Sequence, residues 1–283
     1  MKNQALLSHY QAEELLLAKA RGLDQAESSL DLGISVVEVA LSGEGVQLNQ
    51  DLVIPWDWVK TIADDQNACF ALNAEGLNKV KTFSPATNRP ISLFPTRQAP
   101  TLLIAGLPMH RIKDTTPNKD TQAKIQAVKP ILGKVLDTST GLGYTAILAS
   151  KTAQKVVTIE LDPAVLEIAR QNPWSQELFT QKNIEQLLGD SFDVIEDMEA
   201  KQFATILHDP PTLTLAGHLY STDFYAELLR VLKPGGRLFH YVGDPASKSG
   251  SRTTNGVVQR LEQAGFSSVR RYPRAFGVTA TKG

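Results

Sequence analysis

A glycine-bearing loop between an apolar run and a helical pattern constrains this chain more than any other feature. Residues 135–146 are Val-Leu-Asp-Thr-Ser-Thr-Gly-Leu-Gly-Tyr-Thr-Ala. Glycine lets the backbone approach a ligand without a Cβ in the way, and the start of a helix offers unpaired N–H groups. Glu160 follows about twenty residues later, the spacing at which an acidic side chain meets the hydroxyls of a ribose. The loop and Glu160 together predict a site for a nucleoside-containing cofactor.

The chain divides into two regions with different patterns. Residues 1–112 predict a leading helix over 5–20 and a small β-rich domain, because short apolar runs alternate with Pro- and Asn-containing turns. Residues 113–283 alternate strands with helices, which predicts a mostly parallel sheet. Strands are expected at 134–136, 156–160, 185–188, 203–207 and 237–241, followed by a closely spaced pair at 268–272 and 276–281. The predicted fold class is α/β, a Rossmann-like sheet with one closing antiparallel strand and an N-terminal β-rich domain.

Polar or small residues stand at the end of each predicted parallel strand. Ligands of open α/β sheets bind outside the carboxyl ends of the strands, so these residues are expected to share one site. In strand order they are Asp137, then Glu160 with Leu161, then Asp190 with Ser191 and Phe192, then His208 with Asp209, and finally His240 with Tyr241.

This set of residues resembles the class I S-adenosylmethionine-dependent methyltransferases. The stretch from Asp137 to Gly143 resembles the acidic, glycine-rich first motif of that family, and Glu160 resembles its ribose-binding acid. Asp190 matches the residue that accepts from the adenine amino group. The resemblance implies S-adenosylmethionine as the cofactor, held by Asp137, Ser139, Gly141, Gly143, Glu160, Leu161, Asp190, Ser191 and Phe192.

A closer resemblance spans nearly the whole chain. Residues 108–113, 136–146 and 208–211 are similar to a group of archaeal-type predicted methyltransferases that are loosely labelled spermidine-synthase-like. This sequence differs from the motifs of related enzyme families at three points. Ser139 stands where the first motif usually has glycine, and Thr212 stands where amino-methylating enzymes have an aromatic residue after Asp-Pro-Pro. The loop also lacks the carboxylate that the aminopropyltransferase motif carries, which counts against spermidine synthesis.

The acceptor side of the predicted reaction depends on the fourth and fifth strands. Asp209 is the first candidate to orient or deprotonate the acceptor, and His208 and His240 are the second candidates. The adjacent strands are expected to bring Asp209 and His240 close together. The alternatives are an aminopropyltransferase, a nicotinamide-dependent oxidoreductase and a non-catalytic module that kept the cofactor pocket.

Composition sets the wider expectations. The 283 residues carry a net charge of −1, which gives no general attraction to nucleic acid or membranes. The apolar runs are too short for a transmembrane helix, the first residues do not form a signal peptide, and the single cysteine, Cys69, fits a reducing cytoplasm. No metal-ligand spacing is present. The methyl acceptor is left open among small molecules, protein and RNA, with nucleic acid not favoured despite a basic C-terminal tail, and the oligomeric state is open.

Overall fold

The computed structural model describes residues 4–49, 52–73 and 75–283, and it divides the chain into two compact units. The first unit consists of the chain up to Asn118 together with a later segment, Glu167–Trp174. The second unit consists of Lys119–Leu166 and Ser175–Gly283. The boundary predicted between residues 112 and 113 lies close to Asn118 in the chain. No helix within the described ranges is long and apolar enough to cross a membrane.

The first unit contains antiparallel sheets and two helices. One sheet has the strand order β1-β6-β7, a second β2-β3-β4-β5, and a third β11-β10-β9-β8. Its elements are β1 (Ala5–Leu7), α1 (His9–Ala20), β2 (Gln25–Ser28), β3 (Val37–Leu41), β4 (Gly45–Asn49), β5 (Leu52–Pro55), α2 (Trp56–Asp64), β6 (Phe70–Asn73), β7 (Gly76–Lys79), β8 (Lys81–Ser84), β9 (Arg89–Phe94), β10 (Thr101–Ile104) and β11 (Leu107–Pro108).

The helix predicted over residues 5–20 is wrong at its start. Ala5–Leu7 form β1, which pairs antiparallel with β6 in the register Ala5↔Leu72. The helix α1 begins only after Ser8, whose backbone N–H donates to the Gln11 side chain at 2.9 Å in a capping box. Leu15 of α1 then packs with β1 and β6 in the core of this unit. Pairing with a distant strand thus overrides the local helical pattern.

The second unit is a seven-stranded sheet with helices in its connections. Its strand order is β14-β13-β12-β15-β16-β18-β17, parallel throughout except for β18, which runs antiparallel to both of its neighbours. This topology confirms the predicted fold class. The elements that follow β11 in the chain are α3 (Pro117–Gln126), β12 (Lys134–Asp137), α4 (Tyr144–Ser150), β13 (Lys155–Glu160), α5 (Pro163–Gln171), α6 (Gln176–Thr180), β14 (Ile184–Leu188), α7 (Ser191–Glu196), β15 (Phe203–His208), α8 (Thr222–Val231), β16 (Leu232–Tyr241), α9 (Lys248–Gln263), β17 (Ser267–Tyr272) and β18 (Gly277–Thr281). The first residues of α3 and the second half of α5 belong to the first unit.

The sheet is stabilised by the burial of apolar side chains between its strands and the helices that cover them. Leu136, Ile206 and Leu238 lie in one buried cluster with Tyr225 and Leu228 of α8. Strands covered on both faces are apolar throughout, which is why their runs of Val, Ile and Leu were visible in the sequence. Each such side chain contributes about 1.5–3 kcal/mol when fully buried.

The strand register brings the predicted polar ends to one edge of the sheet. Asp137 at the end of β12 is level with Thr158 of β13 and with Leu207 of β15. His208 of β15 is level with His240 of β16. Strand order reverses between β12 and β15, and ligands bind at such a switch point in open α/β sheets.

Candidate functional site

A buried carboxylate stands at the centre of the candidate site. Asp137 is fully buried, and its Oδ2 accepts hydrogen bonds from Thr145 at 3.0 Å and from Thr158 at 3.1 Å. Burial raises the pKa of Asp137 to about 7, although these two hydroxyl groups oppose the shift. Its other oxygen, Oδ1, makes no hydrogen bond of regular geometry within the described part of the chain, although the nearby Ser139 N–H also opposes the rise in the pKa of Asp137. The site therefore holds a buried acceptor that a ligand could satisfy.

The glycine loop and the predicted ribose acid are in direct contact. The Gly141 N–H donates to Glu160 Oε2 at 2.8 Å, and the Asp162 N–H donates to Glu160 Oε1 at 3.1 Å. Burial raises the pKa of Glu160 to about 7 against these two N–H groups. Gly141 has a φ of +53°, and the space where a Cβ would stand is open. Leu161, which follows Glu160 in the chain, is 50% exposed. The arrangement fits a nucleoside, with a carboxylate for hydroxyl groups and an accessible apolar side chain beside it.

Hydroxyl side chains from neighbouring segments hold the loop in place. Thr140 shares a hydrogen bond of 2.7 Å with Thr158 of β13. Ser191 donates to the Thr138 carbonyl at 2.6 Å, so this predicted cofactor residue also supports the loop backbone. Ser139 lies half-buried between these anchored residues. Gly143 adopts a φ of +77°, a conformation that favours glycine, directly before α4.

The predicted adenine acceptor makes two contacts within the second unit. Asp190 caps α7 by accepting from the Phe192 N–H at 2.8 Å, and its Oδ2 lies 3.0 Å from His218 Nε2. The Phe192 ring stacks on Phe224 with centroids 5.9 Å apart. The roles of Asp190 and Phe192 toward a cofactor stay predictions. His218 could not be predicted as a partner of Asp190, because no sequence motif or regular spacing relates the two residues.

The structure buries His208 and His240, the predicted alternative bases, in surroundings that disfavour this role. Both are fully buried, with ring centroids 4.2 Å apart. His208 Nε2 faces the Leu219 carbonyl at 2.9 Å, so Nε2 must carry the proton and Nδ1 accepts from Thr138 at 2.7 Å. His240 Nε2 is bonded to the Tyr225 hydroxyl at 2.8 Å. Burial lowers the pKa of His208 to about 3 and that of His240 well below its usual value. Both rings stabilise the core as neutral groups.

Asp209 is paired with a lysine that sequence analysis missed. Lys124 Nζ lies 2.6 Å from Asp209 Oδ2 and 2.9 Å from Asp120 Oδ2, and it stands 4.8 Å from the centroid of the Tyr241 ring. Asp209 pairs with Lys124, whereas the His240 ring is bonded to Tyr225 in the core. A catalytic partnership of Asp209 with His240 stays a prediction. The four-residue spacing of Asp120 and Lys124 indicates that the two side chains share one face of α3 and can form an ion pair. Their burial could not be predicted, because the sequence of α3 is mostly polar.

Comparison with known proteins assigns the chain to a family. A family model described as a methyltransferase domain matches residues 132–263. An uncharacterized protein of Methanocaldococcus jannaschii is 46% identical over 231 residues, which cover 81% of this chain and 78% of that protein. The chain belongs to the family of this protein. The segment that matches the methyltransferase-domain model contains every strand end described above, from Asp137 to Tyr241.

Two further likenesses concern aminopropyl transfer. A polyamine aminopropyltransferase of Sulfolobus acidocaldarius is 27% identical over 139 residues, which cover 48% of this chain and 45% of that enzyme. The chain thus matches less than half the length of that relative. The crystal structure of spermidine synthase from Thermotoga maritima superposes with a TM-score of 0.57 at 20% identity, over 75% of this chain and 77% of that one. At this identity the likeness shows a shared fold.

The raised pKa values of Asp137 and Glu160 predict a pH dependence of stability. A carboxyl group whose folded-state pKa exceeds its unfolded value contributes fully below the unfolded value, and this contribution is lost as the pH rises toward the folded value. We expect these two carboxyl groups to lower the free energy of unfolding as the pH rises from their usual values, 3.8 and 4.5, to about pH 7. The buried His208 and His240 act in the opposite direction up to their usual value of 6.5, because their pKa values are lowered in the folded protein. Denaturant unfolding from pH 4 to pH 8, compared between the wild type and single variants, measures the contribution of each carboxyl group.

Single substitutions isolate the contribution of each of these two carboxyl groups to the pH dependence of stability. As the pH rises over this interval, Glu160→Gln and Asp137→Asn should each gain stability relative to the wild type, because an amide does not titrate. The matched control is Glu199→Gln, whose side chain is exposed in the second unit and whose stability should keep a constant difference from that of the wild type. If the stability of both site variants also kept a constant difference from that of the wild type across this interval, the prediction would be contradicted.

Proposed function

We propose that this chain is an S-adenosylmethionine-dependent methyltransferase whose cofactor lies at the ends of β12, β13 and β14. The observation that carries this proposal is the hydrogen bond between the Gly141 N–H and Glu160, which joins the glycine loop after β12 to the end of the neighbouring strand β13. The methyltransferase-domain match supports the reaction class independently of this geometry. The same match gives no support to the nicotinamide-dependent alternative.

The residues of the site divide into those that hold the cofactor and those that face the acceptor. Glu160 would accept hydrogen bonds from the ribose hydroxyls of the cofactor, and Asp190 would accept one from its adenine amino group. The loop from Ser139 to Gly143 would lie against the remainder of the cofactor. When bound, S-adenosylmethionine supplies a methyl group already activated by its sulfonium. The protein then has to position a nucleophile and exclude water. Asp209, at the end of β15, would accept a hydrogen bond from the acceptor group and orient it.

Cofactor binding gives the first test. Calorimetry with S-adenosylmethionine and S-adenosylhomocysteine should show binding by the wild type. Hydrogen bonds to a charged group contribute about 1.5–3 kcal/mol, so Glu160→Ala should weaken binding by roughly 10- to 100-fold. Glu199→Ala, which changes an exposed carboxylate of the same unit, should bind as the wild type does. Absence of binding by the intact protein, or unchanged binding by Glu160→Ala, would refute the proposal.

Methyl transfer gives the second test. Wild-type protein incubated with methyl-labelled cofactor and a cell lysate should place label in one fraction among RNA, protein and small molecules. Removal of a positioned acid–base group lowers rates by about 10²–10⁴-fold, so Asp209→Ala should lose most of this labelling while keeping its affinity for S-adenosylhomocysteine. The exposed Asp197→Ala is the control. Full labelling by Asp209→Ala would remove the role proposed for Asp209.

Aminopropyl transfer is the second candidate function, because polyamine aminopropyltransferases are among the relatives. The loop from Ser139 to Gly143 has no carboxylate, which disfavours it. Product analysis with decarboxylated S-adenosylmethionine and 1,4-diaminobutane separates the two reactions, and formation of an aminopropylated product would favour this second candidate. We place either activity in the cytoplasm, since the described cysteine, Cys69, is buried and unpaired.

A further inference from the structure

Lys124 occupies a compact cage of groups that bind ammonium ions. Its side chain is 1% exposed, and its Nζ lies 2.6 Å from Asp209 and 2.9 Å from Asp120. The Tyr241 ring stands 4.8 Å from the same atom. We call Asp120, Asp209 and Tyr241 the amine cage. Its members come from α3, from the residue after β15 and from the end of β16, so the folded second unit assembles it.

The chemistry of the amine cage is that of a receptor for a primary ammonium. Two carboxylates compensate a positive charge, and the face of an aromatic ring attracts a cation. Burial alone would lower the pKa of Lys124, yet the two carboxylates raise it overall. Lys124 therefore stays an ammonium, with no lone pair to act as a nucleophile or base.

We infer that Lys124 is an internal ammonium that fills the amine cage and thereby excludes a primary ammonium group as the acceptor at Asp209. This inference rests on the proposed function only in placing Asp209 beside the acceptor. A substrate ammonium seeking Asp209 would meet the Lys124 charge 2.6 Å from the same carboxylate, and like charges at such a distance repel. The acceptor class that remains is an uncharged N–H or O–H donor, which can share the Asp209 carboxylate without displacing Lys124.

The experiment empties the amine cage and refills it from solution. In the full-length Lys124→Ala variant we expect propylammonium chloride to raise the thermal midpoint saturably. At a free amine concentration about ten times its dissociation constant, the unfolding equilibrium constant should fall about tenfold. Wild-type protein should show no saturable shift with propylammonium or 1,4-diaminobutane, with or without S-adenosylhomocysteine, because Lys124 fills the cage.

Two control variants isolate the cage from general effects of amines. Lys124→Met retains most of the side-chain volume without the charge, so propylammonium should give it no saturable stabilisation. Lys155→Ala removes a lysine that lies 2.6 Å from Glu185, with both side chains close to half exposed. This exposed pair has the ion-pair distance of Lys124 and Asp209 but leaves no enclosed space, so Lys155→Ala should also show no saturable shift.

Each outcome decides the inference. Saturable stabilisation of Lys124→Ala alone supports it. A folded Lys124→Ala protein that does not respond to the amine overturns it, as does saturable binding of 1,4-diaminobutane by the wild type. If Lys124→Ala folds only when propylammonium is present during refolding, the inference is supported, and failure to fold with the amine present overturns it. None of these measurements needs turnover, so loss of cofactor binding by the wild type would sink the proposed function alone.

Discussion

The buried carboxylate of Asp137 is the constraint on which the candidate site depends. It ends β12 and accepts from Thr158 of β13 and Thr145 of α4, so one side chain ties the central strand to its neighbour and to the helix after the glycine loop. A buried carboxylate is costly unless it is hydrogen-bonded, so this part of the fold is sensitive to any change in its partners. The loop from Thr138 to Gly143 lies in the chain between Asp137 and its partner Thr145.

Two kinds of polar interior lie side by side at the ends of the strands. His208 and His240 are neutral, since burial disfavours their protonated forms. Lys124 and its carboxylates are held by mutual charge compensation instead. The difference separates residues that support the fold from the residue proposed to face the acceptor. The histidine pair supports the backbone beneath it, whereas Asp209 stays partly exposed and keeps access to an acceptor.

Much of the second unit could be predicted because its signals are local. Apolar runs, turn residues and spacing place Asp137 and Glu160 at adjacent strand ends, and parallel pairing brings such ends together. What could not be predicted depends on packing between distant segments. Burial of His208 requires α8 to cover β15, and burial of Lys124 requires a mostly polar helix to lie against two strand ends. In the first unit, Ala5–Leu7 form a strand only because β6 is available to pair with them.

The loop that would meet the cofactor is fixed by residues outside it. Thr158, Ser175 and Ser191 hold Thr140, the Leu142 carbonyl and the Thr138 carbonyl respectively, each through a single hydroxyl group. Grafting this loop into another protein of the family would transfer its glycines but not its conformation, unless these three hydroxyls were transferred with it. The conformation of this site therefore depends on residues in four separate segments, the loop and the three segments that carry these hydroxyl groups, and a short motif search detects only the loop.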